Sequence, residues 1–199
     1  MRRAVMILMV VAILGPPLAR VSAQQAEYPG ESLLLIMDSS GSMNRVDDDG
    51  VALIDGAKQA LRVLVAALPE SAQVGLRVYG HRVPNTDKAK GCEDTELVIP
   101  VGPVDVAAMI EVIDSYDAVG FTPIGLSLRE AVQDLPPTGT RTIVLVSDGI
   151  DTCAPPDPCE VAAELAAEGF NVRVHTVGLF LTDPAAEQQL QCIADATGG

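Results

Sequence analysis

The stretch Leu33-Leu34-Leu35-Ile36-Met37-Asp38-Ser39-Ser40-Gly41-Ser42 decides the fold. Five consecutive apolar residues show no alternation between a wet and a dry face, so the run reads as a strand buried on both sides of its sheet. The polar residues that follow release it into a loop. Such a strand needs helices above and below, and the neighbouring sequence supplies the first. Between Val51 and Leu68 the apolar residues Ile54, Ala57, Leu61, Leu64 and Leu68 recur at three and four, with Asp55, Lys58, Gln59 and Arg62 between them. That is the pattern of an amphipathic helix.

The same alternation runs outward to the end of the chain. Pro69 to Ala72 breaks the helix, Gln73 to Tyr79 reads as a second strand, residues 80–94 as a long polar loop, and Glu96 to Val101 as a third strand. Thr122-Pro123 opens a helix carried by Ile124, Leu126, Leu128, Ala131 and Leu135, and Pro136-Pro137 stops it. Thr142 to Val146 is a further buried strand that ends in Ser147-Asp148-Gly149. Asp157-Pro158 opens a helix closed by Gly169, Asn171 to Leu181 reads as a strand, and Asp183-Pro184 opens a last helix ending at Gly198. Strands separated by helices imply parallel pairing through right-handed crossovers. The expected architecture is a three-layer α/β/α sandwich around a mostly parallel, doubly wound, Rossmann-like sheet. A helix that ends in Gly198-Gly199 is expected to feed another strand, so the sequence reads as a piece of a longer protein.

The start of the chain reads differently. Arg2 and Arg3 give a positive beginning, Val5 to Leu14 form an apolar stretch of ten, and Val21-Ser22-Ala23 ends in a small-x-small pattern. Residues 1–23 are therefore expected to be a secretory signal cleaved after Ala23, residues 24–30 a linker, and residues 31–199 one domain. The apolar stretch is short for a membrane span and Gly15-Pro16-Pro17 breaks it, so no transmembrane segment is expected after cleavage. The expected location is the bacterial periplasm or the cell exterior.

Charge narrows the function further. The chain carries 13 Lys and Arg against 27 Asp and Glu, a formal charge of −14, with no basic run, which argues against nucleic-acid binding. Without Arg2, Arg3 and Arg20 the balance becomes 10 basic against 27 acidic residues, or −17. Four cysteines, Cys92, Cys153, Cys159 and Cys192, with no CxxC pair, suit disulfides in an exported domain better than a zinc site. Chain entropy gives the local Cys153–Cys159 loop ~2.4 kcal/mol and Cys159–Cys192 ~3.8 kcal/mol. Those values leave all three connectivities open, and the expectation leans towards the local pair.

In a doubly wound sheet, ligands sit at the carboxyl ends of the strands where the strand order reverses. The polar residues at those positions are Asp38, Ser40 and Ser42 after the first strand, Thr122 before a helix, and Asp148 after the fourth. All five offer oxygen and none offers sulfur or imidazole, a set that suits Mg²⁺, with Mn²⁺ or Ca²⁺ as alternatives. Gly41 is expected to permit the tight path that brings Ser40 and Ser42 together. Each residue alone also fits a plainer role: Thr122 as the N-cap before Pro123, the aspartates as caps or turn formers, the serines as turn residues. Five such coincidences at matching positions are improbable together.

The residues Asp38-Ser39-Ser40-Gly41-Ser42, then Gly120-Phe121-Thr122-Pro123-Ile124-Gly125, then Ser147-Asp148-Gly149 resemble the metal-ion-dependent adhesion site of von Willebrand factor type A domains. Order and spacing match that family's Asp-x-Ser-x-Ser, distant Thr and distant Asp over residues 31–199. The resemblance implies the type A fold, with an antiparallel strand at one edge and a last strand beyond this chain. It implies that Ser40, Ser42 and Thr122 touch the metal directly or nearly so, and that Asp38 and Asp148 act directly or through water. It also implies a protein partner that completes the site with an Asp or Glu, as in adhesion. Affinity is expected to be modest and dependent on metal and pH.

Other candidates carry less. Asp47-Asp48-Asp49-Gly50 lacks the spacing and terminal Glu of an EF-hand loop and reads as a solvated lead-in to the helix. His175 sits in an apolar strand and is expected to be buried, and His81 has no partner visible by spacing. There is no Gly-x-Ser-x-Gly elbow, P-loop or dinucleotide fingerprint, and Ser40 stands where Asp-x-Asp phosphatases need a second Asp. An enzyme is not expected. The alternatives are a metal-dependent enzyme or enzyme subunit, or a structural component of an envelope assembly.

Overall fold

A computed structural model of the chain describes residues 30–199. The expected signal, residues 1–23, and nearly all of the linker lie outside the described residues. The apolar run at 33–37 forms the middle of β1 (Glu31–Asp38), which is flanked on both sides by parallel partners. In chain order there follow a 3-10 turn (Gly41–Asn44), α1 (Leu53–Ala67), β2 (Gln73–Tyr79), α2 (Lys88–Gly91), β3 (Thr95–Pro103) and α3 (Val106–Asp114). The second half adds α4 (Ile124–Asp134), β4 (Thr140–Ser147), α5 (Pro158–Ala167), β5 (Val172–Gly178) and α6 (Pro184–Thr197).

The strands lie in the order β3-β2-β1-β4-β5, all parallel except the antiparallel edge strand β3. The continuous apolar run of β1 has the physical cause expected of it. Leu34 and Ile36 enter one core with α4, α5 and α6, whereas Leu35 and Met37 enter a second core with α1 and α3, and all four side chains are fully buried. Two dry faces need apolar residues at every position. The chain leaves β1 for β2 on one side and returns to β4 on the other, so the order reverses beside β1. That is where a doubly wound sheet opens a crevice.

Several local expectations need correction. No element was expected between residue 102 and Gly120, yet α3 occupies Val106–Asp114, capped by Asp105 accepting from the Ala108 N–H at 3.0 Å and anchored by buried Met109 and Ile113. The strand expected over Asn171–Leu181 ends at Gly178. His175 is exposed, not buried, because alternate residues of the edge strand β5 point to solvent. His81 does have partners: its side chain is largely buried, with Nε2 3.2 Å from Glu96 and Nδ1 3.7 Å from Asp94.

The disulfides are Cys92–Cys153 and Cys159–Cys192, with Cα separations of 5.3 and 5.7 Å, so the local Cys153–Cys159 pairing is incorrect. Packing explains the choice. Asp157 caps α5 and turns Cys159 towards α6, where Cys192 lies, while Asp151 holds Cys153 in the loop after β4, next to Cys92. Among the described residues no helix is long and apolar enough to cross a membrane.

Candidate functional site

Asp38 ends β1 fully buried, and its two oxygens have separate duties. Oδ1 accepts from the Ser40 N–H at 2.7 Å, which turns the chain, and Oδ2 accepts from the Ser147 hydroxyl at 2.6 Å. Ser147 ends the adjacent strand β4, so this bond ties the two strand ends together. Burial first, and the nearby Asp148 second, push the Asp38 carboxyl up to about 6. A neighbouring carboxylate in a dry place disfavours the charge on Asp38. Behind them the fully buried Tyr79 has its phenol raised well above the usual value by burial and by Asp38.

The turn after Asp38 brings the serines round as expected. Ser40 Oγ and Ser42 Oγ are 3.0 Å apart, and the Ser42 hydroxyl donates to Asp148 Oδ1 at 2.9 Å. Gly41 is not the residue that makes this possible through a positive φ, because it does not adopt one. The close approaches belong to Gly80 and Gly120. At Gly80, with φ +69°, a Cβ would meet the Phe121 carbonyl and lie 3.0 Å from the Ser40 Cα, and at Gly120 it would meet the Val83 carbonyl. Only glycine lets three backbones meet there.

That meeting delivers Thr122. Gly41 N–H donates to the Gly120 carbonyl at 2.8 Å and Gly120 N–H to the Gly80 carbonyl at 2.7 Å, so residues 119–122 run as an extended strap beside the serine turn. Thr152 then clasps Thr122 from the other side: Thr122 N–H donates to Thr152 Oγ1 at 3.1 Å, and Thr152 N–H donates to the Thr122 carbonyl at 3.1 Å. The plain reading of Thr122 as a helix cap is not realised. Pro123 holds the cap position of α4 and has no side-chain oxygen to offer that helix. Asp151 instead accepts from the Gly125 N–H in its first turn at 2.8 Å.

Thr122, Ser42 and Asp148 share the lining of one open cavity of about 230 Å³, and Asp38 and Ser40 lie buried beneath it. All five residues singled out in the sequence therefore gather at the crevice beside β1. Sequence reasoning missed four helpers: Ser147, Asp151, Thr152 and Arg45. Arg45 Nη2 sits 2.8 Å from Asp148 Oδ2 and 3.3 Å from the Asp148 carbonyl. Ser147 stood next to Asp148 in the quoted motif, so position alone pointed to it. Nothing in the local sequence marks Arg45. The acidic turn at 47–49 is separate, closed on itself by Asp47 Oδ1 accepting from the Asp49 and Val51 N–H groups.

Among the described residues no group of three or more His, Cys, Asp or Glu side chains forms a metal-binding cluster. The side chains at the crevice offer carboxylate and hydroxyl oxygen, the chemistry that suits a hard cation.

The sequence profile of the von Willebrand factor type A domain family matches residues 33–150. The uncharacterized protein YwmC of Bacillus subtilis (strain 168) is 28% identical over 207 residues, covering 100% of this chain and 88% of YwmC. Among solved structures, the conserved hypothetical protein BatB from Bacteroides thetaiotaomicron superposes with a TM-score of 0.62 at 20% identity, covering 85% of this chain and 87% of BatB. Manganese-loaded Plasmodium vivax TRAP superposes with a TM-score of 0.58 at 19% identity, covering 84% of this chain and 63% of TRAP. These two likenesses bear on the fold.

Proposed function

Since the chain belongs to the von Willebrand factor type A domain family, we propose that it is an exported binding module whose Asp38, Ser40, Ser42, Thr122 and Asp148 hold a divalent cation for an acidic group on a protein partner. The observation that carries this reading is the convergence of five oxygen-bearing side chains, drawn from three separate chain segments, on one crevice. The donor chemistry fits Mg²⁺, with Mn²⁺ or Ca²⁺ as alternatives. Two features of the site itself support a cation there. Burial and Asp148 push the Asp38 carboxyl up to about 6, a burden that positive charge relieves, and the Arg45 guanidinium already stands on Asp148 as a cation.

When bound, a divalent cation supplies a Lewis-acid centre with a coordination position open to an outside carboxylate. The chain's own residues do the rest. Ser147 and the Ser40 N–H aim Asp38, Ser42 aims Asp148, and the Thr152 clasp leaves the Thr122 side chain on the cavity. The partner is expected to be a protein rather than a nucleic acid, because a net charge of −14 repels polyanions while a single local site admits one carboxylate.

Binding is favoured over catalysis by the cavity lining. Among the described residues, its one carboxylate beyond Asp148 is Asp183, which already caps α6 by accepting from the Ala185 N–H at 2.9 Å, and no imidazole or thiol lines it. Nothing there is placed as a general base. The paired disulfides and the expected signal support a location outside the cytoplasm.

The test is an array of immobilised peptides, each bearing a single Asp or Glu, probed with the protein in Mg²⁺ and in EDTA. Capture by a subset of peptides that is lost in EDTA, lost on Glu→Gln exchange in the peptide and lost in an Asp148→Ala variant is the expected result. Capture indifferent to all three would refute the reading.

A further inference from the structure

We propose that Arg45 is a built-in competitor for the cation at Asp148, and so sets the metal concentration at which the site fills. The proposal rests on the reading of this crevice as a divalent-cation site. Arg45 Nη2 lies 2.8 Å from Asp148 Oδ2, while the other oxygen, Oδ1, accepts from Ser42 at 2.9 Å. Both carboxylate oxygens of Asp148 are thus engaged, and one of them by positive charge.

The two partners differ in their freedom. The Asp148 side chain has no exposure, whereas that of Arg45 is 46% exposed. The Arg45 backbone is fixed, its N–H donating to the Ser42 carbonyl at 2.9 Å and its carbonyl accepting from the Leu53 N–H at 2.8 Å. Departure of the guanidinium therefore needs only side-chain rotations into water, which a long exposed side chain makes readily. Among the described residues, Arg45 is the only basic one lining the cavity. A guanidinium and a divalent cation on the same carboxylate repel each other, so occupancy by one opposes occupancy by the other.

Competition has a thermodynamic signature that packing lacks. Energy stored in the Arg45–Asp148 pair stabilises only the metal-free protein, so removing it weakens that form and tightens metal binding together. If Arg45 only braced the fold, its removal would lower metal-free and metal-bound stability alike and leave affinity unchanged.

The experiment is calorimetric titration of Mg²⁺ and Mn²⁺ into chelator-stripped wild type, Arg45→Gln and Arg45→Lys, with melting curves in EDTA and in excess metal. The expected result is affinity about tenfold tighter in Arg45→Gln, with Arg45→Lys nearer the wild type because it keeps the charge. The metal-induced rise in Tm should be largest in Arg45→Gln. Metal binding by Arg45→Gln equal to or weaker than that of a wild type that does bind overturns the role of Arg45 alone. Absence of binding in all three proteins overturns the reading of the crevice and this proposal with it. Side-chain nitrogen resonances of the wild type give a readout free of any variant: on metal saturation the Arg45 signal should move while that of Arg77, paired with Asp134 at 2.7 Å, stays. An unmoved Arg45 signal at saturation also overturns the proposal.

Discussion

The Ser147 hydroxyl donates to Asp38 Oδ2 at 2.6 Å, joining the carboxyl ends of β4 and β1 where the strand order reverses. A Ser147→Ala variant leaves that oxygen buried without its donor, which costs about 1–3 kcal/mol when a polar group loses its only partner. Urea unfolding in EDTA should show this loss, and Mg²⁺ affinity should fall with it. Unchanged stability would mean that Asp38 finds another donor.

Asp38 also makes a pH prediction. Its folded value of about 6 lies above the ordinary 3.8, chiefly through burial and then Asp148. Between those values the folded chain holds more protons than the unfolded one, so stability from this group falls as pH rises from about 4 to 6. The loss is on the order of 3 kcal/mol. Asp151, also raised by burial, acts in the same sense. Asp94 acts in the opposite sense below about pH 4: burial raises it, but Arg82 and the Arg82 and Val83 N–H groups outweigh that and hold it low. His81, lowered chiefly by burial, also opposes Asp38, since its contribution to stability grows as pH rises towards 6.5. The slope of melting temperature in EDTA over pH 4–6 should therefore be more negative in the wild type than in Asp38→Asn. In Mg²⁺ the same protons compete with the metal, so affinity should weaken on acidification below about pH 6.

Thr122 separates a ligand from a cap. Thr122→Val keeps the shape and removes only the hydroxyl. Because Asp151, not Thr122, accepts from the first-turn Gly125 N–H of α4, stability in EDTA should stay within about 0.5 kcal/mol, whereas loss of a true cap costs about 1 kcal/mol. Mg²⁺ affinity should drop by about tenfold or more, measured by calorimetry.

The two disulfides should differ in what they protect. Cys92–Cys153 joins the loop after β2 to the loop that follows Asp148, whereas Cys159–Cys192 joins α5 to α6. Replacing either pair by serine should lower stability by about 2–4 kcal/mol. Only the Cys92/Cys153 replacement should also weaken metal binding, because Thr152, which clasps Thr122, is the neighbour of Cys153.

The fold was legible in β1 because a strand with two dry faces has no polar position to hide, and Leu34 to Met37 are all fully buried. The gathering of Asp38, Ser40, Ser42 and Asp148 at one crevice was legible because strand-end positions can be read once the strands are placed, and Thr122 stood out as the polar residue opening a helix. Arg45 was not, since its pairing spans 103 residues and depends on how the turn after β1 lies against the loop after β4. Gly80 and Gly120 matter through three backbones meeting, which no local window contains. The cysteine pairing failed for the same reason: loop entropy weighs separation along the chain, while Asp157 and the packing of α5 on α6 decide which sulfurs meet. His175 failed because the strand carrying it lies at an edge, a fact of sheet order rather than composition.

The most direct test of the central claim is an anomalous difference map from crystals of the protein soaked in Mn²⁺. One strong peak is expected at the crevice, within coordination distance of Ser40, Ser42 or Thr122 oxygens and of Asp38 or Asp148 directly or through water, with Arg45 turned away from Asp148. A map with no peak there, or with its peak on the acidic turn at Asp47 to Asp49, would contradict it.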